Sequence, residues 1–176
     1  MPPFFKRHRF IMSGVEGFSL VEMLIYIAIL ALMLSVIMNI VVSTIRSERI
    51  IKVLRNVEDS AILSLERITR ETRQAGSVNL NSSILGSSPG KLVLEGTDAG
   101  GNPRTVEFYL SSGKLFLKEN GVDTGALTQA DARISSLIFH LFSGSNSEGI
   151  RTEITIESGT STHFRSDNFY SSTLLR

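Results

Sequence analysis

The sequence predicts an α+β protein, a long N-terminal α-helix packed on a small antiparallel β-sheet. Three observations lead there. An almost unbroken apolar run extends from Met23 to Val42. Apolar residues at three- and four-residue spacing carry on to Ala75. Short alternating segments, separated by turns rich in Gly, Ser and Asn, fill the remainder.

The apolar run is interrupted only by Tyr26, Ser35 and Asn39, and it has about the length that crosses a hydrocarbon core. A secretory signal has a shorter apolar region, roughly 7–15 residues. Lys6, Arg7 and Arg9 precede it and Arg46, Arg49, Lys52 and Arg55 follow it. The charge balance across the run therefore sets no orientation.

Beyond Val42, Ile50, Leu54, Val57, Ala61, Leu65, Ile68, Thr72 and Ala75 form one helical stripe. Glu48, Lys52, Arg55, Glu58, Asp59, Glu66 and Arg70 occupy the other faces. No glycine or proline falls between Phe18 and Ala75. Gly76 suits a C-cap, with Arg70 and Arg73 favourably placed in the last turns. One continuous helix is expected, on the order of 85 Å long at about 1.5 Å per residue. Its first part would lie in a bilayer and its second part would pack on the C-terminal domain.

Residues 77–90 read as a loop. Strands are expected at Lys91–Glu95, Thr105–Leu110, Lys114–Lys118, Ile134–Phe142, Thr152–Ile156 and His163–Tyr170, with Ser111-Ser112-Gly113 turning a hairpin. A chain of 176 residues with one membrane signal suggests an anchor and a single small domain. The formal charge of +1 argues against bulk nucleic-acid binding. There is no cysteine, so the domain must be held by its core, its helix or neighbouring subunits rather than by disulfides.

Catalytic and ligand-binding patterns are weak. Gly86-Ser87-Ser88-Pro89-Gly90-Lys91 has a superficial phosphate-loop look, but Leu92 stands where Ser or Thr is needed and a strand follows instead of a helix. Glu95, Asp98 and Asn102 offer oxygen ligands, yet their spacing matches no calcium loop and a solvated turn is expected. His8, His140 and His163 are scattered. No enzyme activity, cofactor, metal site or small-molecule substrate is expected.

Glu22 stands out. A charge near the middle of a membrane helix costs about 2.5–3.5 kcal/mol on insertion scales, which calls for a partner or a function. The run Gly17-Phe18-Ser19-Leu20-Val21-Glu22-Met23-Leu24-Ile25 resembles the processing site of type IV prepilins and the related pseudopilins. The resemblance implies that a prepilin peptidase cuts after Gly17 and methylates the new amine of Phe18. Glu22 is then the fifth residue of the mature chain and faces the amine of a neighbouring subunit. Residues 1–17 become a cytoplasmic leader, 18–45 the membrane and assembly half of the helix, and 46–76 its amphipathic half. Residues 77–176 become a β-sheet domain outside the cytoplasm, and the fold implied is the pilin fold.

The partners implied are the peptidase, other pilin or pseudopilin subunits, an inner-membrane assembly platform and membrane lipid. The implied function is a structural subunit of a type IV pilus-like filament. That filament would be a type IV pilus or a pilus for DNA uptake competence; a type II secretion pseudopilin and a non-filamentous anchored binding module are the alternatives. Phe164-Arg165-Ser166 and Leu174-Leu175-Arg176 are loosely similar to minor subunits of the J or W type. The missing cysteines depart from the many family members that staple a C-terminal loop.

Overall fold

The computed structural model describes residues 17–144, 147–160 and 163–175. Lys6, Arg7, His8, Arg9 and Glu16, in the segment expected to be a leader, lie outside the described residues, as does Arg176. The chain divides into two compact units, Met1–Ile45 and Arg46–Arg176. Helix α1 (Leu20–Gln74) is 55 residues long and continuous through the boundary, as its uninterrupted sequence predicts.

In the first unit every described side chain is exposed. Two polar side chains of this stretch turn back to their own backbone. Asn39 Nδ2 donates to Ser35 O at 3.1 Å, and farther along Thr44 Oγ1 donates to Ile40 O at 3.0 Å. Such bonds satisfy a polar side chain without water, which a helix in hydrocarbon requires.

In the second unit α1 buries Asn56, Val57, Ser60, Ala61, Ser64, Ile68, Glu71 and Thr72. This face differs from the expected stripe. Ile50 is exposed, and Leu54 and Leu65 are only partly buried. Small polar residues, Ser60, Ser64 and Thr72, are buried on this face in their place. Ser60 Oγ, for example, accepts the Gln129 N–H at 3.2 Å. The helix end also differs. Ala75 N–H still donates to Glu71 O at 3.0 Å, but the Gly76 N–H donates to Glu95 O at 2.9 Å. Gly76 keeps an ordinary negative φ. It starts a strand instead of closing a left-handed cap, because β-pairing satisfies its amide.

Strands β1 (Ser77–Val78), β2 (Lys91–Thr97), β3 (Pro103–Ser111), β4 (Lys114–Glu119) and β5 (Val122–Ala126) form one sheet in chain order. Strands β6 (Ala132–Ser143), β7 (Glu148–Ser158) and β8 (Arg165–Leu174) form a second. All neighbours are antiparallel. The single expected sheet is thus two, and β1 and β5 are additions. Two turns share one geometry. Ser112 and Gly113 have φ of 50° and 73°, and Asn120 and Gly121 have 49° and 82°. Positive φ at both central residues is the twist a two-residue hairpin favours.

Hydrogen bonds join the sheets along one edge of β6. Gly86 N–H donates to Phe139 O, Gly90 N–H to Leu137 O and Ile134 N–H to Gly113 O, each at 2.8 Å. The approach at Gly90 is close enough that a Cβ there would stand 2.8 Å from Leu137 O. Beneath this seam lies one apolar core, with Phe108, Leu115, Leu137, Phe139 and Ile156 wholly buried against Val57 of the helix.

Candidate assembly and processing site

Ser19 precedes the first helical residue, and its carbonyl accepts the Met23 N–H at 3.1 Å. Glu22 falls in the first turn of α1, where unpaired amides and the helix dipole favour an anion. Four residues on, Tyr26 faces it, and the Tyr26 hydroxyl donates to Glu22 Oε1 at 3.1 Å. Phe18 lies a further turn back. Its ring meets the Tyr26 ring edge-on, with centroids 6.1 Å apart and planes at 74°. The structure therefore brings Phe18, Glu22 and Tyr26 together on one strip of helix surface.

Gly17 stands apart from that strip. A Cβ built on it meets nothing within 4 Å among the described residues, so these place no demand for glycine there. Tyr26 is the member of this group that sequence reading missed. It appears there only as a polar interruption of the apolar run, although its four-residue offset from Glu22 is a readable signal.

A second polar cluster lies in the other unit. Glu71 is only 3% exposed, 2.7 Å from Arg104 and 3.0 Å from Arg67. Glu119 lies 2.6 Å from Arg67 and 3.1 Å from Arg104. Burial opposes the charge on Arg104, but the Glu71 hydrogen bond and charge, helped by Glu119, hold its guanidinium above its ordinary value. Arg70 adds a third, more distant cation, 4.0 Å from Glu71, and the whole suits a structural ion cluster. It opens on a cleft of about 1090 Å³ lined by Arg70, Gln74 and Asp98.

The remaining sequence candidates have ordinary roles. Asp98 Oδ1 accepts the N–H groups of Gly100 at 2.8 Å and Asn102 at 2.9 Å, and Asn102 Nδ2 reaches Oδ2 at 3.1 Å. Its oxygens are occupied by its own turn. Glu95 Oε1 accepts from Asn79 Nδ2 at 2.6 Å. The Gly86 and Gly90 amides are committed to β6, and Ser88 Oγ accepts the Leu137 N–H at 3.2 Å, so this loop offers no phosphate cradle. His140 Nε2 stands 3.7 Å from Glu153. Among the described residues no group of three or more His, Cys, Asp or Glu is placed to hold a metal.

The Asp98 turn carries a pH prediction. The Asn102 amide, the Asn102 side chain and the Gly100 amide hold the Asp98 carboxyl below its ordinary 3.8. A depressed folded value stabilises the turn above 3.8, and that contribution is lost as pH falls through the folded value. Amide exchange at Gly100 and Asn102, corrected for intrinsic rates, is expected to lose protection in that acidic window while the β2–β3 ladder keeps its own. Unchanged protection at both amides would count against it.

The model for the prokaryotic N-terminal methylation motif matches residues 12–38. The chain carries the N-terminal signature of the type IV pilin and pseudopilin family. This prepilin-type motif takes in Gly17, Phe18, Glu22 and Tyr26. It implies processing by prepilin peptidase and assembly with other pilin subunits. Together with the long apolar stretch of α1 it supports membrane anchoring. No curated protein and no solved structure significantly matches this chain.

Proposed function

We propose that this protein is a structural subunit, of the minor class, in a type IV pilus-like filament. It is made as a single-pass precursor with its C-terminal unit outside the cytoplasm. Prepilin peptidase cuts after Gly17 and methylates Phe18, and the apolar part of α1 then joins a bundle of similar helices on the assembly platform. The observation that carries this reading is Glu22, a carboxylate in an exposed apolar helix, just beyond the Gly17–Phe18 junction and inside the matched motif. Cleavage creates an amine four residues away in sequence. In an apolar bundle each charge is costly alone, and pairing between subunits offsets part of that cost. Pairing also fixes the axial stagger, since only one offset brings the two charges together.

The lean toward a minor subunit comes from the likeness of Phe164-Arg165-Ser166 and the closing residues to the J and W types. The same chemistry would serve a type II secretion pseudopilus or a competence pilus, and the subunits that co-purify with this one distinguish the machines. The mass of the N-terminal peptide from the native host tests the reading. A peptide that begins at Phe18 and carries one added methyl group is expected. A peptide that retains the residues before Phe18 would overturn it.

A further inference from the structure

We propose that Tyr26 is a positioning residue of the assembly site, holding Glu22 through one carboxylate oxygen and seating the Phe18 end against the same strip of helix. The inference rests on the filament reading above and deepens it. Glu22 and Tyr26 lie four residues apart on one face of α1, and Phe18, four residues before Glu22, sits just ahead of the first helical residue. The Tyr26 hydroxyl donates to Glu22 Oε1 at 3.1 Å, and its ring edge packs on Phe18 with centroids 6.1 Å apart.

In an apolar phase a carboxylate and a phenol are each costly without a partner. Here each supplies the other's hydrogen bond within a single helix, before any neighbouring subunit arrives. With one lone pair of Oε1 engaged, Oε2 is the more open acceptor for an incoming amine. That favours one side of the carboxylate. The ring contact restrains the residue whose own amine must reach a neighbour. Tyr26 thereby lowers the rotamer freedom that two side chains would otherwise lose during assembly.

The test uses the full chain. Tyr26→Phe keeps the ring and removes only the hydroxyl. Processing by the host peptidase is expected to be unchanged. The fraction of processed subunit recovered in sheared filaments is expected to fall about 3- to 15-fold, the range for side-chain hydrogen bonds in membrane helices. A second readout needs no filament. The Raman doublet of tyrosine reports whether a phenol donates a hydrogen bond, and the chain has only three tyrosines. In protein reconstituted in nanodiscs, the Tyr26 contribution is identified by its loss in Tyr26→Phe. It is expected to show a donating phenol that ceases to donate in Glu22→Leu.

A Tyr26 signal unmoved by Glu22→Leu overturns the proposal, as does wild-type incorporation of Tyr26→Phe while Glu22→Val is excluded. In either case the filament reading survives. Normal incorporation of Glu22→Val removes that reading, and the positioning role with it.

Discussion

Glu22→Val is expected to be processed like the wild type and to be absent from filaments. The substitution replaces a charge in the first turn of a membrane helix with an apolar side chain, so insertion of the precursor should become no harder. Cleavage should proceed as well, because the Gly17–Phe18 junction lies before the first helical residue. What disappears is the acceptor for the amine of the next subunit, and with it the only charge in this stretch of α1 able to set axial register. Valine also ends the bond from the Tyr26 hydroxyl, leaving an unpartnered phenol in the apolar bundle. Immunoblots of sheared filaments against washed membranes, with the mature form resolved from the precursor, check the outcome. An anchored binding module would tolerate the change. Wild-type recovery of the variant in filaments would favour that alternative.

Gly17→Leu is expected to accumulate as uncut precursor. The chain's own structure gives no reason for the effect, which makes the experiment clean. Among the described residues a Cβ at Gly17 meets nothing within 4 Å, and its φ is not in the left-handed region. The variant should therefore insert normally and keep α1 intact. The loss falls on the peptidase, which must bring catalytic groups close to a backbone that no side chain shields. A change from nearly complete cleavage to almost none is expected by immunoblot of whole cells. A mature band of normal intensity would show that cleavage does not depend on this residue.

Much of the architecture was legible because it is encoded within short windows. The continuity of α1 follows from the absence of helix breakers, and the hairpin at Ser112-Gly113 follows from its turn residues. Strand β5 escaped because Val-Asp-Thr-Gly-Ala has no apolar alternation. Its marker was the preceding Asn120-Gly121, the dipeptide that favours positive φ at two successive residues. The division into two sheets was not legible, since it depends on which backbone groups face β6 across long sequence separations. The same holds for Glu71. A charge near the end of an amphipathic helix reads as solvated until Arg104 arrives from a distant strand. At the candidate site Gly17, Phe18 and Glu22 stood out by motif. Tyr26 did not, because its partner is defined by helix geometry rather than by residue type.

Near the C-terminal end of α1, a single turn of helix holds both sheets of the second unit. Arg67 and Glu71 reach Arg104 on β3 and Glu119 on β4. Between them Thr69 meets Ser171 at 3.2 Å and Thr173 at 3.3 Å, both on β8. A pull along the axis of α1 therefore enters the two sheets at the same level. It reaches the ion pairs to β3 and β4 and the hydroxyl contacts to β8 within one turn of helix. A domain without a single disulfide thus has a mechanical fastening made of side chains, placed where the helix would transmit any force drawn through it.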